Sequence, residues 1–192
     1  MQGVKHTIKK EFTPYYLTIT VTDWQPIFEH ENIRKIIIDS LNYLIERKNL
    51  VVYAYCIMNN HIHMIADTEN PFILRDVIRD FKKFTSRKIT TEMSENLNDK
   101  NRQFLSRFKI AGENHCKSIN FKVWKDGNHA IELYSNKFIR QKLNYIHQNP
   151  VKAGYTEKIQ DWPFSSAKDY FGEKSVLTKV HCLYGASKDL IV

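Results

Sequence analysis

Two spacings of hydrophobic residues, alternating and helical, define the first predicted elements. Aliphatic residues alternate with threonines over residues 16–22, which predicts a half-buried strand. Apolar residues three or four positions apart predict an amphipathic helix over residues 31–48. Residues 51–58 are rich in Val, Tyr and Ile, and the turn dipeptide Asn59-Asn60 separates them from residues 61–67. We therefore expect a β-hairpin to follow the helix.

A helix with two distinct faces is predicted to open at Pro71, a residue well suited to a first helical turn. Its apolar face comprises Leu74, Val77, Ile78, Phe81 and Phe84. Its basic face comprises Arg75, Arg79, Lys82, Lys83 and Arg87. Residues 92–120 show only weak periodicity, which favours a loop or a frayed helical insertion.

Another helix is predicted near the end of the regular pattern. Two extended segments, residues 121–124 and 130–134, flank a turn at residues 126–128. Ser135 or Asn136 can then cap a helix, because short polar side chains accept hydrogen bonds from the first free backbone amides.

The order of elements predicts the fold class and its limits. The last helix is expected to run to about Gln148 and to be stopped by Pro150. A turn-rich segment follows, in which Trp162-Pro163-Phe164 is interpreted as a packing clasp. The sequence of strands and helices predicts an α+β fold, a ferredoxin-like antiparallel sheet with helices packed on it. We expect one domain over residues 1–150 and a C-terminal extension over residues 151–192 packed on the same domain.

Composition narrows the class of protein. The chain has 192 residues, of which 42% are hydrophobic, which is enough for one compact core and excludes a disordered chain. No apolar run reaches membrane-spanning length, and the N-terminus lacks the apolar core of a signal peptide. Cys56, Cys116 and Cys182 are widely spaced and are interpreted as free thiols. We therefore expect a cytoplasmic protein, associated with the nucleoid if it binds DNA.

The charge is concentrated in the middle of the chain. The net charge is +8, and residues 72–125 alone carry +7. A localised basic surface is typical of a protein that binds a polyanion such as nucleic acid. A solvated lysine-rich face is an equally good interpretation of the charge taken alone.

The clearest candidate for chemistry is His61-Ile62-His63 on the predicted return strand. Residues i and i+2 of a strand face the same side, so the two imidazoles project in parallel and can form half of a divalent metal site. Two polar histidines on a solvated sheet face are the alternative, and short motifs of this kind arise often by chance.

A second candidate lies on the last predicted helix. Tyr145 and Asn149 are four residues apart and share one face, where a phenol can act as a nucleophile and an amide oxygen can reach a metal ion. An ordinary core tyrosine and a polar residue at a helix end are the alternative. His147 lies off that face and is interpreted as a structural or surface residue.

Several motifs together resemble those of the REP-associated tyrosine transposases, within the wider IS200-like group of single-tyrosine HUH transposases. They are HIHMI at residues 61–65, WKDGNHAIEL at 124–133, YIHQNPVKAG at 145–154 and DWPFSS at 161–166. The resemblance covers most of the chain, and the combination is more specific than any one motif. Residues 92–119 match no pattern of the family, and the basic N-terminal arm is thin.

The resemblance implies a mechanism and a set of site residues. His61, His63 and Asn149 match the ligands of a Mg²⁺ or Mn²⁺ ion, and Tyr145 matches the nucleophile. The implied reaction is nicking of single-stranded, hairpin-containing DNA through a 5′-phosphotyrosine, followed by strand transfer. The basic face of the helix after Pro71 would contact DNA phosphates, and Trp124, Phe121 or His129 could stack on unpaired bases unless they pack in the core.

Two other functions stay open at this point. One is a metal-dependent nuclease in which water attacks the phosphate, and the other is a domesticated DNA-hairpin-binding protein without chemistry. The sequence also leaves open whether the protein is a monomer or a homodimer.

Overall fold

An antiparallel four-stranded sheet forms the centre of the computed structural model, which describes residues 7–115 and 120–184. The strands are β1 (Tyr15–Thr20), β2 (Leu50–Ile57), β3 (His61–Thr68) and β4 (Ile131–Glu132). They lie in the order β2-β3-β1-β4, and every pair is antiparallel. The helices are α1 (Glu31–Arg47), α2 (Leu74–Glu95), α3 (Asp99–His115), α4 (Asn136–Lys152) and α5 (Ala167–Tyr170). This arrangement confirms the predicted α+β class with a ferredoxin-like sheet.

The register between β1 and β3 divides the side chains of the sheet into two sets. Leu17 lies opposite Met64, and the neighbouring odd-numbered positions of β1 share that first face. Thr18 lies opposite His63 and Thr20 opposite His61, so these four side chains share the second face.

The first face is covered by α1 and α2. Both helices direct aliphatic and aromatic side chains onto Leu17, Ile19 and Met64, and together they form one buried cluster. The helical members of this cluster include Ile33, Ile37, Leu41, Val77, Ile78 and Phe81. Phe84, which the pattern assigned to the same stripe, is exposed beneath the ammonium group of Lys88.

The second face is covered by α4 and by the segment that follows it. Leu143 and Ile146 of α4 pack with Ala54 and Ile65 in a second, smaller buried cluster. That cluster ends before Thr18 and Thr20, where the second face carries polar side chains. The polar end of the sheet beneath α4 is therefore the place where the structure can build a site.

The expectation of a loop or a frayed insertion over residues 92–120 is wrong. α2 continues to Glu95, and residues 99–115 form the continuous helix α3. Phe104 and Phe108 lie one turn apart and join the first cluster, which anchors α3 to the domain. The apolar stripe was hard to detect because Asn101 and Gly112 occupy other buried positions of this helix. Cys116 lies outside the described residues, whereas Cys56 and Cys182 are free thiols.

The predicted ends of two helices also need correction. α2 begins at Leu74 rather than at Pro71, because the amide of Phe72 closes a turn onto the carbonyl oxygen of Glu69. Pro150 does not end α4, which continues to Lys152. Pro150 cannot donate a backbone hydrogen bond, but the helix continues past it, since the amide of Ala153 still reaches the carbonyl of Asn149.

The start of α4 and the strands before it agree with the prediction in part. Ser135 caps α4, since its hydroxyl accepts the amide hydrogen of Phe138 at 3.3 Å. Only Ile131 and Glu132 of the segment 130–134 form a strand. The segment 121–124 contributes a single bridge between Trp124 and Val21.

The C-terminal segment is bonded to the outer edge of β2. The amide of Ile57 donates to the carbonyl of Phe164, and the indole nitrogen of Trp162 donates to the carbonyl of Ile57. Ser166 is buried and its hydroxyl lies 2.8 Å from both the amide of Tyr55 and Nε2 of His147. The described part of the extension therefore packs on the same sheet, while the boundary at residue 150 stays a prediction. Among the described residues, no helix combines the length and apolar character needed to cross a membrane.

Replacing Ser166 with Ala should lower the free energy of unfolding by about 1–3 kcal/mol, because it leaves a buried amide and a buried imidazole nitrogen without partners. Urea unfolding followed by circular dichroism measures this change. Ser106→Ala, on the exposed face of α3, is the matched control and should change stability by less than about 0.5 kcal/mol. Equal effects of the two substitutions would contradict the role given to Ser166.

Candidate active site

The two histidines predicted from the motif lie side by side at the start of β3. Their Nε2 atoms are 3.0 Å apart and their ring centres 4.5 Å apart. His63 is only 4% exposed, because α4 and β1 enclose it. The pair is therefore not placed on an open, solvated sheet face.

Burial keeps both imidazoles neutral. It lowers the pKa of His61 to about 4 and that of His63 to about 3, and the nearby His61 contributes to the second shift. Nδ1 of His61 lies 2.6 Å from Oδ1 of Asn60, whose Nδ2 donates to the carbonyl of Trp24. Since an amide oxygen only accepts, Nδ1 of His61 carries its hydrogen and Nε2 presents a lone pair.

Nδ1 of His63 faces two hydroxyl groups. It lies 2.8 Å from Oη of Tyr16 and 3.1 Å from Oγ1 of Thr18, and either oxygen can accept a hydrogen from it. With that hydrogen on Nδ1, the Nε2 atom of His63 presents a lone pair beside that of His61. Such partners fix the tautomer and orientation of a histidine that binds metal.

The donor set fits one divalent ion. A separation of 3.0 Å suits two nitrogens that occupy neighbouring positions around an ion at about 2.1 Å. Asn149 lines the same cavity as the histidines, and its Nδ2 donates to the carbonyl of Tyr145 at 2.6 Å, which leaves Oδ1 as the candidate ligand. Within residues 7–115 and 120–184, no group of three or more His, Cys, Asp or Glu side chains could hold a metal. The available ligands are thus two imidazoles and an amide, a neutral set that an anionic oxygen and water would have to complete.

α4 places Tyr145 against the histidines. Its ring centre is 5.3 Å from that of His63 and 6.1 Å from that of Tyr16, yet the side chain remains 41% exposed. The ammonium groups of Lys142 and Lys152 lie 5.7 and 5.8 Å from the Tyr145 ring centre. An accessible phenol therefore stands near two ammonium groups and beside the neutral imidazole of His63.

His147, on the other side of α4, is a structural residue. It is completely buried, and burial lowers its pKa to about 3. Its Nε2 bonds to the hydroxyl of Ser166 rather than facing the histidine pair.

Residues that the sequence did not single out complete the cavity, whose volume is about 720 Å³. Tyr16 and Thr18 come from β1, Trp24 from the short 3₁₀ helix Thr22–Trp24, and Lys142 from α4. Burial raises the pKa of Tyr16, so its hydroxyl stays protonated beside His63. Only the strand register could have identified Tyr16 and Thr18, because the sequence alone does not say which residues lie opposite His63.

A groove of about 760 Å³ runs along the basic face of α2 beside residues 121–128. Arg75, Arg79, Lys83 and Arg87 are exposed along it, and Arg79 is paired with Asp76 and Asp80. The turn at residues 125–127 also lines the cavity with the histidines, so groove and cavity share one wall.

Lys82 differs from the other basic residues of this face. Its Nζ donates to the carbonyls of Lys125 and Gly127 at 2.7 and 2.9 Å, and Oδ1 of Asn128 lies 3.3 Å away. Burial lowers its pKa to about 8. The structure therefore uses Lys82 to hold the shared turn, and its predicted contact with DNA would require these bonds to break.

The three residues that the sequence suggested for stacking on bases differ in their surroundings. Trp124 is 5% exposed, packs between Phe28 and Phe81, and donates its indole hydrogen to Thr85, so the core interpretation is correct for it. Phe121 is half-buried along the groove, and His129 lines the cavity.

Comparison with known proteins identifies the family and the fold. The family described as IS200-like transposase matches residues 12–112, which include both histidines and end before α4. A provisionally assigned REP-associated tyrosine transposase of Haemophilus influenzae is 28% identical over 116 residues, 59% of this chain and 56% of that protein. The chain thus matches little more than half the length of this curated relative. A solved structure of a REP-associated tyrosine transposase bound to a REP hairpin has the same fold, with a TM-score of 0.57, 17% identity and 94% of each chain covered.

The hydroxyl of Tyr16 should contribute to metal affinity through His63. Replacing Tyr16 with Phe keeps the ring and removes the hydroxyl, which should lower the affinity for Mn²⁺ by about 10-fold because the orienting partner of Nδ1 is weakened. Isothermal titration calorimetry measures this, with Tyr53→Phe on β2 as the matched control. Unchanged affinity in a Tyr16→Phe, Thr18→Val double variant would contradict the assignment.

Proposed function

The chain belongs to the family of IS200-like transposases, and on that premise we propose that it nicks single-stranded, hairpin-containing DNA and transfers the strand through a 5′-phosphotyrosine on Tyr145. The observation that carries the proposal is the placement of an exposed phenol 5.3 Å from the ring of His63, within one cavity. A hairpin substrate is proposed because the REP-associated transposase with the same fold is bound to a REP hairpin.

His61, His63 and Asn149 are proposed to hold a Mg²⁺ or Mn²⁺ ion. When bound, the ion would polarise the scissile phosphodiester and offset its developing negative charge. The hydroxyl of Tyr16 would orient His63, and the amide oxygen of Asn60 would orient His61.

The proposed reaction exchanges one phosphodiester for another. The phenol of Tyr145 gives up its proton to solvent, and its oxygen forms a bond to phosphorus while the bond from phosphorus to the 3′ oxygen breaks. The departing 3′ oxygen takes up a proton and leaves as a hydroxyl. A 3′-hydroxyl of another strand can reverse these steps and release Tyr145, so strand transfer needs no external energy source.

The lysines around Tyr145 are proposed to support this chemistry. Lys142 and Lys152 place two ammonium groups beside the phenol, where they attract the incoming phosphate and stabilise charge on the phenolic oxygen. The exposed residues of the basic groove would hold the DNA on either side of the shared turn. One chain contains every one of these groups, which a monomer or each subunit of a homodimer could use.

Tyr145→Phe should abolish a covalent protein–DNA adduct. We expect wild-type protein, incubated with a single-stranded hairpin oligonucleotide and Mn²⁺, to give an SDS-resistant complex. The variant should give none and should cleave at least about 1,000-fold more slowly, because it has lost the nucleophile. Denaturing gel electrophoresis of labelled DNA measures both, and Tyr155→Phe, an exposed tyrosine beyond α4, is the matched control.

Other outcomes of that experiment separate the competing functions. An adduct in Tyr145→Phe would contradict the assignment of the nucleophile. Cleavage by wild-type protein without an adduct would favour attack by water, and binding without cleavage in any metal would favour a binding protein. A His61→Ala, His63→Ala double variant should lose cleavage and keep DNA binding, whereas equal loss of both would indicate a structural role for the pair.

The groove should contribute salt-dependent affinity. A Lys83→Ala, Arg87→Ala double variant should bind single-stranded DNA more weakly, and the slope of log affinity against log salt should become shallower by about 1.4 for two lost phosphate contacts. Fluorescence anisotropy over a salt series measures the slope. A Lys35→Ala, Arg47→Ala variant on the exposed side of α1 removes the same charge outside the groove. Identical slopes for the two variants would contradict a role for the groove.

A further inference from the structure

Trp24 is a large aromatic residue that the proposed chemistry does not use. Its side chain is 52% exposed, and it lines the same cavity as His61 and Tyr145. Burying an indole is strongly favourable, so an exposed tryptophan beside a site is an informative observation.

The backbone holds Trp24 in an uncommon conformation. Asp23 and Trp24 have φ angles of 52° and 56°, in the left-handed region that residues with a side chain rarely adopt. The amide of Trp24 donates to the carbonyl of Val21, and Nδ2 of Asn60 donates to the carbonyl of Trp24. The same Asn60 bonds to His61, so one side chain links the position of Trp24 to the proposed metal ligand.

The surroundings of the indole suit a nucleotide. Its ring centre lies 5.6 Å from that of His61, with the ring planes 77° apart, an edge contact. Nζ of Lys125 lies 5.0 Å from the ring centre, and Lys125 belongs to the turn that lines both the cavity and the basic groove. An aromatic face beside a cation is the combination by which proteins bind single-stranded nucleic acid, because every base can stack and every nucleotide carries a phosphate.

The other two tryptophans do not offer such a surface. Trp124 is buried in the first cluster, and Trp162 is partly buried with its indole nitrogen bonded to Ile57 and its ring stacked on Tyr155. Trp24 is therefore distinguished from both by its exposure at the cavity.

We infer that Trp24 is a stacking platform for one unpaired nucleobase next to the scissile phosphate, with Lys125 at the phosphate of that nucleotide. The inference rests on the proposed function for the identity of the substrate. Stacking accepts any base, so Trp24 would position the strand relative to Tyr145 without reading its sequence. The base is taken to be unpaired, since the stacked neighbours in a duplex cover the faces of the bases inside it.

Binding assays with abasic DNA test this inference. Trp24→Ala should weaken binding of a single-stranded hairpin oligonucleotide by about 5- to 100-fold, and Trp24→Tyr should recover most of the loss. Removing the stacked base from the oligonucleotide should weaken binding to the wild-type protein equally. In Trp24→Ala protein, removing the same base should cause no further loss of affinity. The two losses are then not additive, which identifies the nucleotide that stacks on Trp24.

Tryptophan fluorescence gives an independent readout. Single-stranded DNA should quench emission in Trp124→Phe and Trp162→Phe proteins and should lose this effect in Trp24→Phe, because stacking requires the exposed indole. Unchanged Mn²⁺ affinity and thermal midpoint in Trp24→Ala would show that the site is intact. The inference would be overturned if, at every abasic position, the loss of affinity simply added to the loss caused by Trp24→Ala. Failure of Trp24→Tyr to recover binding would also overturn it.

These outcomes are separable from failure of the proposed chemistry. Quenching and non-additivity without any covalent adduct would support the platform and contradict the nucleophile. Two results together would contradict the stacking role of Trp24 and leave the proposed chemistry standing. They are a full yield of adduct from Trp24→Ala and no quenching by DNA in the proteins that retain Trp24.

Discussion

The antiparallel register of β1 against β3 is the constraint on which the rest of the site depends. It places Thr18 opposite His63 and Thr20 opposite His61, and it directs Met64 into the apolar cluster on the other face. A slip of one residue would exchange the faces, burying two imidazoles among aliphatic side chains and exposing Met64 at the site. The free energy gained by burying the apolar face therefore fixes the position of the histidines on the other face.

A second layer of packing brings the proposed nucleophile to the two histidines. α4 packs on the second face of the sheet through Leu143 and Ile146, and the same helix turns Tyr145 toward His63. Apolar packing thus sets the distance between the proposed nucleophile and the proposed ligands. The ammonium of Lys82 holds the turn that this cavity shares with the basic groove. Rigid elements on both sides suit a reaction that depends on placing a phosphate accurately.

The sequence predicted what local periodicity and spacing determine. The fold class, the parallel projection of His61 and His63, and the shared face of Tyr145 and Asn149 follow from periods of two and of three to four residues. It could not predict the orienting partner Tyr16, because register depends on the whole sheet. α3 was missed because only a few apolar residues anchor it, and Lys82 was grouped with the basic face because charge patterns do not reveal which ammonium is bonded to backbone carbonyls.

The central claim is that one chain assembles both the ion site and the nucleophile. A crystal structure of the Tyr145→Phe protein with Mn²⁺ and a single-stranded hairpin oligonucleotide tests it most directly, because anomalous scattering locates the ion. The account predicts one peak at about 2.1–2.3 Å from Nε2 of His61 and Nε2 of His63, with residue 145 of the same chain beside the bound phosphate. A peak away from the histidines, or a phosphate approached by α4 of a second copy, would contradict it.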